Sequence, residues 1–259
     1  MRFDSIFQAI EQECPLVYQL NYDNTGLIIP AVVENCTGAL VALDLTMPVV
    51  QEAIQKGYNL VIVHHPLFFH PLKKFDASLF EHQVFKTCLQ HDIAVYAWHT
   101  NLDQYRAGVS WRWAEQMNLK EIQFLHAQTQ NWGFGVVGDL PDTLLELDFL
   151  SLLSKRCQTN YVRHSALLQK PIRKIAFCGG SGASFISQAL AQQVDAYVTA
   201  DLKYHDFSLA NQKILLVDIG HYESERHTIS LIVDFLIKKF PIFAASGTTV
   251  NTNFVHYFA

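Results

Sequence analysis

Two places in the chain carry a histidine followed four residues later by a carboxylate: His99 and Asp103 in WHTNLD, and His221 and Glu225 in GHYESE. On a helical turn that spacing sets both side chains on one face. If Glu225 lies in the first turn of the last helix, this spacing places it on the side of His221. Two further imidazoles, His64 and His65, stand together before Pro66, and Asp201, Lys203 and His205 follow one another in VTADLKYHD. Imidazole nitrogen and carboxylate oxygen without thiolate suit Zn²⁺, Mn²⁺, Fe²⁺, Co²⁺ or Ni²⁺ rather than an iron–sulfur cluster or Ca²⁺. A single catalytic zinc takes about three protein ligands. The larger set here matches two divalent ions about 3.5–4 Å apart, joined by a bridging carboxylate and water. Such a centre lowers the pKa of water and stabilises charge developing on an attacked phosphoryl, amide or ring carbon. The histidines not needed as ligands, with Asp201, would orient the ligands or act as general acid and base. A serine nucleophile does not compete: there is no GxSxG, and Ser181 and Ser184 have no assignable base.

These residues need elements to bring them together. Leu60–Val63 is a short apolar run, rich in Val and Ile, that reads as a buried central strand stopped by Pro66. His64 and His65 therefore sit at the C-terminal end of a core strand, where open α/β sheets place their ligand crevices. Adjacent strand residues point to opposite faces, so both can serve one site only if the chain bends just after Val63. Around this strand the order is strand (38–46), helix (48–57), strand, helix (78–91), strand (93–103) and helix (108–119). That alternation is α/β. Pro48 opens the first of these helices and Gly57 closes it.

Residues 123–165 break the rhythm, and it returns with a strand and Gly-rich turn (172–182), a helix (183–193), a strand (194–206), a strand and loop (214–225) and a last helix (227–240). VALDLT corresponds to IAFCGG, QEAIQKGYNLVIVHH to SQALAQQVDAYVTAD, and IAVYAWHTNLD to ILLVDIGHYESE. The expected architecture is two similar α/β halves, 1–125 and 126–259, related by a pseudo-twofold and with strand ends facing each other. Two Gly-rich stretches invite other readings. Gly133, Gly135 and Gly138 follow the GxGxxG order, but they run into Pro141 instead of a helix start, which argues against a dinucleotide site. GGSG at 179–182 could cradle a phosphate or carboxylate at a helix start; the plainer reading is a tight strand-to-helix turn, and there is no GK[ST].

Composition sets the bounds. With 50% hydrophobic and 17% charged residues the chain has ample material for a core and little tendency to disorder. Some of that apolar content, including part of the 18 Phe, is expected in an oligomer interface. The net charge of −5 and the lack of a basic stripe argue against nucleic acid as the main partner. Five widely spaced cysteines without a CxxC are expected as reduced thiols in a cytoplasmic protein. The N-terminal stretch reads as an amphipathic helix instead of a signal peptide, and no apolar run is long enough for a membrane span.

Over nearly its whole length the sequence resembles the GTP cyclohydrolase 1 type 2 homologue family, through YDNTGL, VALDLT, NLVIVHHPLFF, HTNLD, GFGVVGDLP, FCGGSGAS, DAYVTADLKYHD and DIGHYESE in that order. The resemblance implies two intertwined α/β domains, a toroidal homohexamer and a dinuclear metal centre. It places the ligands on His64, His65, Asp103, His221 and Glu225, with Asp103 or Glu225 bridging. His99, His205 and Asp201 are then the catalytic or ligand-orienting candidates. The implied activity is metal-dependent hydrolysis of a nucleotide or related small polar substrate. Alternatives are a metal-binding or metal-delivery protein without turnover, and a ring-shaped scaffold.

Overall fold

A computed structural model describes residues 1–159 and 161–258. In chain order its regular elements begin with α1 (Phe3–Glu13), β1 (Gly26–Ile29), β2 (Ala39–Ala42), α2 (Met47–Lys56), β3 (Leu60–Val63), α3 (Phe80–Gln90) and β4 (Ala94–Ala97). There follow α4 (Thr100–Asp103), α5 (Val109–Gln116), β5 (Lys120–Ala127), β6 (Gly133–Leu144), α6 (Glu146–Cys157), β7 (Arg163–His164) and β8 (Ile172–Ser181). The last are α7 (Ile186–Ala191), β9 (Ala196–Ala200), β10 (Leu215–Asp218), α8 (His221–Glu225), α9 (Thr228–Lys239) and β11 (Ala245–Gly247). No described helix is long and apolar enough to cross a membrane.

The chain forms two α/β units. The first comprises Met1–Leu102 and Thr228–Ala259, and the second Asp103–His227. The expected halves, 1–125 and 126–259, divide the chain once; these units divide it twice, because α9 and β11 return to the first sheet. Interleaving of this kind rests on long-range strand pairing, here β11 with β2, which has no local signature.

In the first unit the sheet order is β1-β4-β3-β2-β11. The four strands β4, β3, β2 and β11 run parallel, and β1 pairs antiparallel on β4. All residues of β2, β3 and β4 are buried, as expected of parallel strands covered on both faces. Their side chains on one face, among them Leu40, Val61, Val63 and Val95, pack with Val49, Val50 and Ala53 of α2 and Val84 and Cys88 of α3. The local signals for α2 are met: Thr46 caps its N-terminus by accepting from the Val49 amide, and Gly57 ends it at φ +67°.

The second sheet has the order β5-β6-β8-β9-β10-β7. Its central strands β8, β9 and β10 are parallel, and β7 pairs antiparallel on β10. The triplet β2, β3, β4 with its antiparallel edge β1 thus recurs as β8, β9, β10 with edge β7, which is the repeat expected from the sequence. What differs lies at the other edge: β11 runs parallel to β2, whereas β6 runs antiparallel to β8. Trp113 stacks on Phe177 at 3.9 Å between centroids, within a core that includes Phe149, Leu153, Val198 and Leu215.

Candidate functional site

The first unit gathers its imidazoles at the C-terminal ends of β3 and β4. The strand β3 stops at Val63, and the chain turns there: the His64 and His65 amides both donate to the Leu43 carbonyl, at 3.1 and 3.0 Å. This is the bend needed to bring the two side chains to one place, and their ring centroids lie 4.9 Å apart. His99, just beyond β4, completes the group at 5.2 Å from His64 and 5.5 Å from His65. One ring nitrogen from each of the three falls within 4.8 Å of the others, close enough for a shared metal ion.

Each ring is held by the end of a neighbouring strand. His64, fully buried, donates from Nδ1 to the carbonyl oxygen of Trp98 after β4, at 2.9 Å. His65 donates from Nδ1 to Asp44 after β2, at 2.8 Å, and His99 donates from Nδ1 to Asp23 before β1, at 2.7 Å. A carbonyl oxygen can only accept, so the Nδ1 proton of His64 is fixed and the neutral ring presents the lone pair of Nε2. The carboxylates impose the same tautomer on His65 and His99. An imidazole whose Nδ1–H is tied to an oxygen is the usual form of a metal-ligating histidine.

Asp23 is itself tightly supported. Its side chain is fully buried and accepts from the Thr100 amide at 3.1 Å, from the Thr25 hydroxyl at 2.7 Å and from the Thr100 hydroxyl. Burial alone would raise its carboxyl, but the hydrogen bond and charge of His99 and the two threonine hydroxyls hold it well below the usual carboxylate range. The His99–Asp23 pair therefore retains an ionised acceptor down to strongly acidic pH.

In the second unit the site residues lie at the ends of β8, β9 and β10. His221 and Glu225 share the short helix α8, which precedes and is separate from the last helix, α9. The four-residue spacing brings His221 Nε2 to 2.9 Å from Glu225 Oε2. On its other side His221 donates from Nδ1 to Asp201 Oδ2 at 2.7 Å. Burial would lower the imidazole's pKa, but the charge of Glu225 and the hydrogen bonds of Asp201 and Glu225 push it up to about 11. The ring is thus an imidazolium between two carboxylates. A divalent cation on its Nε2 side would replace that proton.

Asp103 closes α4 and is half-buried. Its charge and that of Glu225 both act on Cys178, whose thiol is pushed well above the ordinary range, first by burial and then by those carboxylates. Cys178 is therefore a neutral thiol beside the carboxylates and offers no thiolate ligand. That fits a nitrogen and oxygen donor set. All five cysteines are buried and none forms a disulfide.

His205 takes no part in either group: it is exposed and meets the Tyr204 ring edge-on at 5.0 Å. In its loop Leu202 is buried and its amide donates to Asp218, Lys203, Tyr204 and His205 are exposed, and it is Asp201 that hydrogen-bonds an imidazole. Three supporting oxygens escaped the sequence reading, namely Asp23, Asp44 and the Trp98 carbonyl. Asp44 stands at the end of VALD and Asp23 in YDNTGL, but nothing local ties either to a histidine 21 or 76 positions away. A backbone carbonyl carries no sequence signal at all.

The fold and these clusters define a metal-binding protein made of two α/β units, with imidazole and carboxylate ligands at strand ends. Residues 1–253 match the Duf34/NIF3 family (NGG1p interacting factor 3), and the chain belongs to it. It is 35% identical over 229 residues to a Streptococcus pneumoniae protein named GTP cyclohydrolase 1 type 2 homolog, covering 86% of this chain and 85% of that one. A Nostoc relative of the same name is 32% identical over 212 residues, covering 81% of both chains. Among solved structures, a Staphylococcus aureus hypothetical protein superposes with a TM-score of 0.92 at 28% identity, covering 100% of this chain and 99% of that one. A Bacillus cereus protein related to NIF3 shares the fold, with a TM-score of 0.93 at 21% identity over 100% of this chain and 99% of that one.

Proposed function

We propose that the protein is a dinuclear metal-dependent hydrolase of a nucleotide or related small polar substrate, with His64, His65, Asp103, His221 and Glu225 as metal ligands. The observation that carries this reading is the set of histidines at strand ends whose Nδ1 protons are all tied to oxygen, leaving Nε2 as the metal-facing atom. Asp103 lies on α4, the turn that directly follows His99, so the chain carries the first carboxylate on from the first group of histidines. Asp103 or Glu225 is the bridging ligand. The name shared by the Streptococcus and Nostoc relatives suggests a nucleotide substrate. The ring-shaped homohexamer belongs to the same reading, and with it a cytoplasmic setting.

Bound divalent ions, of Zn, Fe, Mn, Ni or Co, would supply an acidified water and positive charge for the anionic transition state. The chain's own residues do the rest. Asp44 and Asp23 keep the Nδ1 protons of His65 and His99 in place. In this reading His99, the third member of the histidine group and not itself a ligand, would pass a proton to or from substrate.

Elemental analysis of His64→Ala combined with Glu225→Ala tests the ligand assignment: metal should be lost while the circular dichroism of the folded chain is kept, and unchanged metal content overturns it. A turnover screen of the metal-loaded wild type against GTP and phosphoesters then tests the activity. Full metal occupancy with no hydrolysis would overturn the hydrolase reading and leave a metal-binding protein.

A further inference from the structure

The Gly-rich segment at the end of β8, residues 179–182, has no part in the ligand set, yet it meets α8 directly through Gly180 and indirectly through Ser181. The Gly180 amide donates to Ser224 Oγ at 2.9 Å, and Ser224 Oγ in turn donates to the His221 carbonyl at 2.7 Å, so the turn holds the helix backbone. Gly180, at φ +62°, leaves room above its Cα for the Glu225 carboxylate. Ser181 reaches the side chain of the helix's first residue by way of Asp201. It pairs with Ala200 across the β8–β9 ladder, and its hydroxyl donates to Asp201 Oδ2 at 2.5 Å. The same oxygen accepts from His221 Nδ1 at 2.7 Å.

We propose that Ser181 is a positioning residue for His221, acting through Asp201. The inference rests on the assignment of His221 as a metal ligand made above. Asp201 adopts φ +57°, and its carboxylate meets the Ser181 hydroxyl at the end of β8. Its side chain is 46% exposed, so burial does not confine it. A carboxylate in that setting exchanges freely between protein and water partners unless a second bond restrains it. The Ser181 hydroxyl supplies that bond, on the very oxygen that receives the imidazole proton. With Asp201 fixed, the His221 ring keeps its Nδ1–H tautomer and its Nε2 stays directed at the Glu225 side. Asp201 is on this account an orienting group for a ligand and not a proton carrier, and GGSG is a clamp instead of an anion nest.

Zn²⁺ affinity of the full-length protein, read by chelator competition at fixed pH, tests the proposal without reference to turnover. Asp201→Ala should weaken Zn²⁺ binding about 10–100-fold, the cost of removing a partner that orients a metal ligand. Ser181→Ala should weaken it about 3–10-fold, as for one lost hydrogen bond, and Ser181→Thr, which keeps the hydroxyl, should bind like the wild type. Because Ser181 acts through Asp201, adding Ser181→Ala to Asp201→Ala should cost nothing further. The metal-free melting temperature should be the same for wild type and Ser181→Ala. Wild-type affinity in Ser181→Ala, full additivity in the double variant, or a Ser181→Thr protein as weak as Ser181→Ala would each overturn the proposal. If His221→Ala binds Zn²⁺ as tightly as wild type, the ligand assignment itself falls and takes this role with it. A wild type that binds Zn²⁺ through His221 but hydrolyses nothing removes the hydrolase reading alone.

Discussion

At the scale of single residues, Gly180 shows how little space the second group of ligands has. Its φ of +62° lies in the left-handed region, which costs an ordinary residue about 1–2 kcal/mol. A methyl group there would run into Glu225 Oε1 and lie 3.4 Å from His221 Cε1. Glu225 is 3% exposed and has nowhere to retreat. Gly180→Ala is therefore expected to lower unfolding free energy by about 1–2 kcal/mol in denaturant titration, and to reduce retained metal by tenfold or more as Glu225 is displaced. A Gly180→Ala protein that purifies with a full metal complement would show that Glu225 is not confined in this way. The sequence presented this glycine as one of three in GGSG, and its steric role became visible only once α8 was placed against the turn.

At the scale of elements, the recurrent device is a histidine at one strand end held by an oxygen from the next. The sheet order makes this possible: β3 lies between β2 and β4, so His65 takes Asp44 from one neighbour and His64 takes the Trp98 carbonyl from the other. The two aspartates of the first unit differ in what else they carry. Asp44 accepts one further bond, from Thr252 at 3.2 Å, whereas Asp23 gathers the start of β1 and the N-terminus of α4. Asp44→Ala is thus expected to cost about 10–100-fold in metal affinity with little loss of stability. Asp23→Ala should lose affinity and also about 3 kcal/mol of stability, since it strands buried donors. Equal effects of both on thermal unfolding would contradict this division.

Much of this arrangement was legible from the chain alone. The parallel triplets, their repeat and the histidines at their ends follow from short Val- and Ile-rich runs closed by polar residues. The hairpin of β5 and β6 was not legible, because Gly133, Gly135 and Gly138 suggest a loop. In the fold they lie within β6, where a side chain at Gly135 would press on the Phe177 carbonyl of the neighbouring strand and one at Gly138 on that of Lys120. Glycine marks close approach of backbones there rather than a turn.

At the scale of the whole molecule, the first unit is closed by the return of the chain's last segment. The strand β11 pairs with β2, with Ala245 opposite Ala39 and Gly247 opposite Val41, and Lys239 of α9 meets Glu13 of α1 at 3.1 Å. ASG is a weak strand sequence, three residues with a glycine, so its pairing needs support from outside the ladder. Glu52 of α2 provides it. Its carboxylate accepts from the Thr249 amide at 3.1 Å, from the Thr249 hydroxyl at 3.1 Å and from the Thr248 hydroxyl, and Lys56 lies 3.5 Å away. Burial would raise this carboxyl, but the bonds from Thr248 and Thr249 and the charge of Lys56 hold it below the ordinary glutamate value. The direction fixes the sign of the pH effect. A carboxyl depressed in the folded state stabilises fully above the ordinary glutamate range, and that contribution is lost as pH falls through its folded value. Glu52→Gln keeps the shape but removes the charge, and charged hydrogen bonds are worth about 1.5–3 kcal/mol. The substitution should therefore lower stability by about that amount at neutral pH, and the gap between variant and wild type should shrink as both are acidified below the glutamate range. Hydrogen exchange should show the amides of 245–250 opening first in the variant. A gap that stays constant on acidification, or protection of 245–250 equal to wild type, would mean that β11 is held by its pairing with β2 and not by Glu52.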